Sequence, residues 1–351
     1  MTQAAGAFTI SEAERESTLL PELTALIAHH RRRCPGYARI LDAIDGTGSV
    51  GDGLAGLPWI PVRLFKNHRL ASVEPAEVFR VVTSSGTAGA VSRIHLDVQA
   101  ATAQQQALFR VLSTVLGSER LPMLIADSKA VFARASTLSA RGAGVIGLMS
   151  YGRDHTFVLD EEGRPDLPAV GDFLARNGAR RFLIFGFTFL VWTALREMAT
   201  EHRLDLSNGV LIHSGGWKRL ADQAVDNTQF RRGLARASGL SEIYNYYGMV
   251  EQLGTVFLEG PSGGSLYCPD FADVIVRDPL TWREQPVGRP GVIEVLSTLP
   301  TSYPGNVLLT EDMGVVHGVD DGDWPGKRFS VLGRVAAAEI RGCSDVPAVG
   351  A

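Results

Sequence analysis

The sequence predicts an α/β fold in which helices cover a mixed β-sheet, followed by a smaller antiparallel β region. Between residues 121 and 215, short apolar segments typical of buried strands alternate with helical segments. After residue 265 the pattern changes to short strands separated by Pro and Gly. The 351 residues, 45% hydrophobic and 21% charged, have the composition of a soluble globular protein.

Composition and periodicity divide the chain into four regions. They are an N-terminal helical segment (1–75), an α/β core (76–265), a β-rich subdomain of the same core (266–332) and a short tail that carries Cys343 (333–351). The three cysteines are too few and too scattered for a disulfide framework or a zinc site. We therefore expect a reduced, cytoplasmic protein.

The bulk properties also bear on partners. A formal net charge of −4 offers no basic surface for nucleic acid. The longest apolar run, residues 182–195, is shorter than the ~20 residues of a membrane-spanning helix. The first residues lack the basic and apolar regions of a signal peptide. We therefore expect no nucleic-acid partner, no membrane span and no secretion.

The first region is predicted to be mostly helical. Ser11 and Glu14 have the spacing of a capping box, with Ser11 as the N-cap. Pro21 suits the start of a second helix, which would end in the basic run 31–33, where the helix dipole is negative. Pro35 and Gly36 then break that helix.

Apolar periodicity assigns the remaining elements. The predicted strands are 78–83, 92–96, 123–126, 144–149, 182–187, 210–213, 241–247, 272–277, 292–296, 307–310, 315–317 and 329–332. Helices are predicted from the N-cap Asp97 to Leu116 and over 188–202. Residues 161–172, with two prolines, are predicted to be an exposed loop.

A loop rich in hydroxyl groups and glycine, Thr83–Gly89, follows the strand at 78–83. Hydroxyl groups donate hydrogen bonds to anionic oxygens, and successive backbone N–H groups in a Gly-containing turn form a concavity that suits phosphate. The loop leads into a strand rather than a helix and lacks the lysine of a Walker motif, which excludes a P-loop NTPase. By itself the loop is explained equally well as a surface turn.

Four later stretches place glycine or acidic residues at strand ends. Gly215–Gly216 could let a flat ring lie against the backbone, or could mark the entry to a helix. Glu251, four residues after Tyr247, suits a Mg²⁺ ligand beside phosphates, or a solvated charge. Glu311–Asp312 suit ribose hydroxyls, or cap a turn. Gly333–Arg334 follow the last strand.

In this order, the five stretches resemble the motifs of the adenylate-forming superfamily, which includes acyl-CoA synthetases, non-ribosomal adenylation domains and firefly luciferase. The resemblance is closer to the LuxE-type acyl-protein synthetases and related acyltransferases. The stretches that carry it are Phe65–Lys66, Thr83–Thr87, Ser92–Ile94, His213–Lys218, Tyr247–Gln252, Ala272–Ile275, Leu296–Pro300 and Arg341–Asp345. The resemblance implies the α/β large-domain fold of these enzymes, with a Gly-Arg hinge and without the full C-terminal lid domain.

The resemblance implies binding of ATP and Mg²⁺ and gives each motif a role. Thr83, Ser84, Ser85, Gly86, Thr87 and Gly89 would form the loop that holds the β- and γ-phosphates, Gly215 and Gly216 would flank the adenine, and Tyr247, followed by Gly248, would stack on or near it. Glu251 would bind Mg²⁺, Asp312 would hold the ribose hydroxyls, and Arg334 would contact ribose or phosphate. Lys66 and Arg93 are further candidate cations for phosphate.

Cys343 matches the cysteine that accepts the acyl group in LuxE-like proteins. A thiolate is a strong nucleophile toward an acyl adenylate, and Arg341 could lower the pKa of this thiol. The alternative is a buried structural cysteine, the role that we assign to Cys34 and Cys268. Most superfamily members continue into a mobile lid with a catalytic lysine. Since this sequence ends eight residues after Cys343, we expect no such lid in cis.

The resemblance thus implies an ATP-dependent acid–thiol ligase that activates a fatty or aryl carboxylic acid as acyl-AMP. The acyl group would pass through Cys343 to a partner protein, such as a reductase or carrier protein, or to an amine. One alternative keeps the adenylation but passes the acyl group directly to CoA, a carrier protein or an amine. Another is a non-catalytic nucleotide-binding subunit, which Ala88 in place of the usual second Thr would favour.

Overall fold

The structure is a computed structural model that describes residues 6–44, 51–84, 91–132, 140–217 and 224–335. Its helices are Glu12–Arg33 (α1), Pro35–Ile44 (α2), Leu64–Asn67 (α3), Val98–Leu116 (α4), Ala140–Met149 (α5), Leu167–Asn177 (α6), Thr188–Leu190 (α7), Arg196–His202 (α8) and Asn227–Ser238 (α9), with a π-helical turn, Val191–Leu195, between α7 and α8. Its strands are Ile60–Pro61 (β1), Arg80–Thr83 (β2), Arg93–Leu96 (β3), Leu121–Ser128 (β4), Gly152–Leu159 (β5), Phe182–Phe187 (β6), Gly209–Ser214 (β7), Glu242–Tyr247 (β8), Phe257–Glu259 (β9), Leu266–Tyr267 (β10), Ala272–Arg277 (β11), Gly291–Ser297 (β12), Val307–Val319 (β13) and Lys327–Arg334 (β14).

Most of these strands form one mixed sheet. Their order is β11-β12-β13-β14-β10-β9-β8-β7-β6-β4-β5, and β1 lies parallel beside β13. The strands from β8 to β5 in this order are parallel, and the pairs from β8 to β11 are antiparallel. β2 and β3 form a separate antiparallel pair. The predicted α/β fold with a mixed sheet is confirmed, and the β-rich region after residue 265 continues the same sheet.

Alternate residues of the parallel strands pack on opposite faces of the sheet, as the pleat requires. On β4, Met123 and Ile125 belong to one apolar cluster, and Leu124 and Ala126 belong to another. Helices α4 and α5 cover the first face, and α6, α8 and α9 cover the second. Because both faces are covered, these strands are almost continuously apolar in the sequence.

Helix α1 begins as predicted. Ser11 Oγ accepts a hydrogen bond from the backbone of Glu14, and the Glu14 carboxylate accepts one from the backbone of Ser11. The prediction that Pro21 starts a new helix is wrong, since it lies inside α1. Its neighbours Leu19 and Leu23 are buried and hold this stretch against the core. The free energy gained by this packing exceeds the cost of the backbone hydrogen bond that proline removes.

Three other predictions about elements are wrong. Residues 144–149, predicted as a strand, lie in α5, because a short apolar run does not distinguish a strand from a buried helix. The loop predicted over 161–172 ends at Asp166, whose side chain caps α6. The strands predicted over 307–310 and 315–317 form the single strand β13. Among the helices of the described ranges, none combines the length and the apolar character that crossing a membrane requires.

Candidate functional site

The candidate site lies where the parallel strands β7 and β8 end, which is the edge of an α/β sheet at which ligands bind. β7 ends at Ser214 and is followed by Gly215 and Gly216. Gly215 has a φ of +82°, a conformation that favours glycine. A Cβ atom at Gly216 would have no atom of the described residues within 4 Å, its two chain neighbours aside. Since β8 pairs with β7 and ends at Tyr247, which precedes Gly248, the two predicted glycine motifs lie side by side.

Thr188 and His213 fix the start of this glycine turn. Thr188 Oγ1 lies 2.9 Å from His213 Nδ1 and 3.1 Å from the carbonyl oxygen of Ser214. The carbonyl can only accept, so the Thr188 hydroxyl donates to it and accepts from Nδ1–H of His213. Burial lowers the pKa of His213 to about 3, which keeps the ring neutral. The backbone of the turn is therefore held by the buried side chain of Thr188, the first residue of α7, which directly follows the neighbouring strand β6.

Tyr247, Asp312 and Arg334 form the second part of the site. The Tyr247 hydroxyl donates to Asp312 Oδ2 at 2.7 Å, and Arg334 Nε lies 3.7 Å from Asp312 Oδ1. Asp312 and Arg334 are register partners on β13 and β14, so the sheet itself places them together. Burial raises the pKa of Asp312, while Tyr247 and Arg334 oppose the shift. The ring of Tyr247 packs near Phe257 and Phe329, so its hydroxyl has a fixed direction.

Glu251 lies in a short 3₁₀ turn, Val250–Gln252, after the end of β8. The turn is attached to the sheet by Gln252 Nε2, which donates to the carbonyl oxygens of Val295 (3.2 Å) and Gly305 (2.9 Å). Glu251 is 7% exposed, and burial raises its pKa, while Ser92, Lys66 and Arg334 oppose the shift. A buried carboxylate of this kind favours a cation ligand.

The base of the hydroxyl loop lies beside Glu251. The backbone N–H of Ser84 donates to the carbonyl of Ser92 at 3.2 Å, and the backbone N–H of Ser92 donates to Ser84 Oγ at 3.0 Å. Thr83, the last residue of β2, pairs with Arg93. The Ser92 side chain lowers the pKa of Glu251 and is therefore close to it. Since Ser84 and Ser92 are hydrogen-bonded to each other, both ends of the loop lie near this carboxylate.

The fold is similar to that of ligases of known structure. It superposes on 2-hydroxyisobutyryl-CoA ligase in complex with 2-HIB-AMP with a TM-score of 0.70, over 94% of this chain and 70% of the ligase, at 18% identity. It superposes on ATP-bound MatB from Rhodopseudomonas palustris with a TM-score of 0.51, over 75% of this chain and 49% of MatB, at 16% identity. At these identities the likeness establishes the fold.

The model of the LuxE acyl-protein synthetase family matches residues 2–348. The chain belongs to this family. It is 26% identical over 334 residues to the long-chain-fatty-acid–luciferin-component ligase of Vibrio harveyi, covering 90% of this chain and 83% of that ligase. It is 23% identical over 301 residues to the ligase of the same name from Aliivibrio fischeri, covering 82% and 77%. This homology places the LuxE-family chain among the adenylate-forming ligases.

Part of the predicted LuxE-family site lies outside the described residues. These positions are Ser85, Gly86, Thr87 and Gly89 of the hydroxyl loop and Cys343. The two cysteines predicted to be structural, Cys34 and Cys268, are both buried. Burial raises the pKa of the Cys268 thiol, which disfavours the reactive thiolate.

Two contributors to this site carry little or no signal in the sequence. Thr188 gave no signal, because a threonine after a strand is common and its partner is 25 positions away. Glu311 was grouped with Asp312, but it has separate partners: Arg63 (2.9 Å), Lys66 (3.4 Å) and Arg334 (3.9 Å). We call these four residues the Glu311 cluster. The Phe65–Lys66 motif was the one sequence signal for it.

Proposed function

We propose that this chain converts a carboxylic acid and ATP to acyl-AMP and pyrophosphate, and then transfers the acyl group to Cys343 and on to an acceptor. A carboxylate oxygen attacks the α-phosphorus and pyrophosphate leaves. The Cys343 thiolate, having lost its proton to solvent, then attacks the acyl carbon, and AMP leaves. The observation that carries the proposal is that Tyr247, Glu251, Asp312 and Arg334 meet at one edge of the sheet in a LuxE-family chain.

The described residues supply binding and orientation for the nucleotide. Asp312, whose ionised form is favoured by Arg334 and by the hydroxyl of Tyr247, would accept hydrogen bonds from ribose hydroxyls. Gly215 and Gly216 would let the adenine ring approach the backbone, since neither has a side chain and no side chain of the described residues, chain neighbours aside, fills the space at Gly216. The names of the curated relatives support a fatty acid as the first substrate class, with aryl acids second.

Glu251 would hold Mg²⁺, which stabilises negative charge on phosphate groups when bound. Its carboxylate is buried and lies beside a hydroxyl group, which suits a hard cation. Within the described ranges, no group of three His, Cys, Asp or Glu could hold a metal ion by itself. This fits Mg²⁺, which commonly takes one or two protein carboxylates and completes its shell with water and phosphate oxygens.

Labelled acid and ATP test the acyl transfer. Wild-type protein should acquire label that hydroxylamine releases, because a thioester is cleaved by that reagent. Cys343→Ala should lose the label but keep acid-dependent pyrophosphate exchange, and the matched variant Cys34→Ala, at a buried cysteine, should keep both. Label on Cys343→Ala would show that the acceptor is wrong. Exchange without labelling of wild type would favour direct transfer to CoA, a carrier protein or an amine.

A further inference from the structure

The Glu311 cluster brings three cations to one carboxylate. Arg63 and Lys66 come from the segment around α3, and Arg334 comes from the end of β14. Burial alone would raise the pKa of Glu311, but Lys66 and Arg63 outweigh it and lower the pKa, so the carboxylate stays ionised. Arg334 also lies 3.7 Å from Asp312, so three cations face two carboxylates, and one positive charge remains in excess beside the candidate nucleotide site.

Of the two cations from the segment around α3, Lys66 is the more enclosed. Its side chain is 21% exposed, whereas that of Arg63 is 58% exposed. The charge of Lys66 lowers the pKa of both Glu251 and Glu311, so its ammonium group is near both carboxylates. Arg63 forms its ion pair with Glu311 from the solvent side.

The position of Lys66 is fixed by its neighbour in α3. Phe65 is 1% exposed, and its ring makes an edge contact with Tyr303 at a centroid distance of 6.0 Å. Phe65 also shares an apolar cluster with Ile94 and Leu96 of β3, the strand that follows the hydroxyl loop. The same packing that buries Phe65 therefore holds Lys66 near the end of that loop.

The contacts of Lys66 leave capacity for a second anion. An ammonium group has three N–H donors. The distance of 3.4 Å from Nζ to Glu311 Oε2 is longer than a well-formed hydrogen bond. Glu311 also accepts a shorter hydrogen bond from Arg63 Nε, at 3.0 Å. Glu311 therefore orients the ammonium group of Lys66 but forms only a weak hydrogen bond with it.

We propose that Lys66 binds phosphate oxygens of the nucleotide and that Glu311 positions it for this contact. The proposal rests on the proposed function, because it requires that ATP binds at this edge of the sheet. The phosphate chain would lie beside Lys66, with Glu251 nearby. Arg63 and Arg334 keep Glu311 in place when Lys66 turns to the phosphate.

Nucleotide binding by three variants tests the proposal. Lys66→Met should weaken the binding of ATP with Mg²⁺ about 10- to 100-fold in calorimetry, the effect of losing one charge-assisted hydrogen bond. It should leave the binding of adenosine unchanged, because adenosine has no phosphate. Lys66→Arg should recover part of the loss. Arg153→Gln, at an exposed arginine whose partner is Asp154, should bind ATP nearly as wild type does.

The possible outcomes distinguish a failure of the proposed function from a failure of the role of Lys66. If wild-type protein does not bind ATP, the proposed function fails and this inference fails with it. If wild type binds ATP and Lys66→Met binds it equally well, or loses ATP and adenosine equally, Lys66 is a structural ion-pair partner and only this inference is overturned.

A measurement on the wild-type protein avoids any defect in folding. Lys66 is partly exposed and can react with an amine-acylating reagent, whose site of attachment mass spectrometry identifies. We expect saturating ATP to protect Lys66 from the reagent and adenosine to give no protection. Equal modification of Lys66 with and without ATP would overturn the inference.

Discussion

At the scale of single residues, the proposed nucleotide binding depends on the contact between Tyr247 and Asp312. Asp312 is largely buried, and burial raises its pKa, while the Tyr247 hydroxyl and Arg334 act in the opposite direction. The hydrogen bond of 2.7 Å therefore favours the ionised carboxylate that ribose hydroxyls would need.

Tyr247→Phe should raise the pKa of Asp312 further, because it removes the hydroxyl that stabilises the carboxylate. We expect a several-fold higher KM for ATP and an acidic limb of the pH–rate profile that moves to higher pH. Acid-dependent pyrophosphate exchange between pH 5 and 9 measures both. Tyr267→Phe, which removes a phenol that accepts a hydrogen bond elsewhere in the same sheet, is the control. An unmoved acidic limb in Tyr247→Phe would contradict the role of the contact.

At the scale of elements, β6 and β7 are connected at their carboxyl ends by Thr188 and His213. Thr188→Val removes the hydroxyl but keeps the branched shape, so Nδ1–H of His213 and the Ser214 carbonyl both lose their partner. We expect a loss of about 1–3 kcal/mol in the free energy of unfolding and a higher KM for ATP, while kcat changes less. Thr188→Ser should restore both. A Thr188→Val variant with wild-type KM would show that the turn does not need this support.

His30 of helix α1 is hydrogen-bonded to Ser72 and to Pro300, which lie in two different loops. Nε2 lies 3.0 Å from the carbonyl oxygen of Pro300 and therefore carries the proton, and Nδ1 accepts from the Ser72 hydroxyl at 2.8 Å. Burial lowers the pKa of His30 from 6.5 to about 3. Below pH 6.5 the unfolded chain takes up a proton that the folded chain does not, so this contribution to stability is lost as the pH falls from 6.5 toward 3.

His30→Gln should remove this part of the pH dependence. The difference in the free energy of unfolding between wild type and variant should shrink as the pH falls, by up to about 1.4 kcal/mol per pH unit. Urea unfolding at pH 7, 6 and 5 measures it. His68→Gln, at an exposed histidine, should follow wild type. Parallel curves for wild type and His30→Gln would show that His30 does not remain neutral in the folded protein.

At the scale of the whole molecule, the parallel and antiparallel halves belong to one sheet and should unfold together. A fully buried ion pair between Arg277 and Glu294 lies in the antiparallel half, and Arg277 also donates to the carbonyl of Ala55 at 2.9 Å. Arg277→Met leaves a buried carboxylate without a partner, which we expect to cost about 3–5 kcal/mol. Calorimetry should show one transition at lower temperature, and the double variant Arg277→Met/Glu294→Leu should recover most of the loss. Two separate transitions would show that the halves unfold independently.

Local signals in the sequence were sufficient for much of this fold. Asp97 caps α4 as predicted, with its side chain accepting from the backbone of Ala100 at 2.7 Å, because capping depends on three neighbouring residues. The run 144–149 was misassigned because its helical state depends on packing against the sheet. The Glu311 cluster could not be predicted, since Arg63 and Lys66 lie 248 and 245 positions from Glu311 and meet it only when β1 pairs with β13.

The central claim is that this LuxE-family chain forms an acyl adenylate at the edge of the sheet that carries Glu251 and Asp312. Acid-dependent exchange of labelled pyrophosphate into ATP, across a panel of fatty and aryl acids, tests it most directly. We predict exchange with at least one class of acid by wild type and a loss of at least about 100-fold in Glu251→Gln. Absence of exchange with every acid, or equal exchange by Glu251→Gln, would contradict the account.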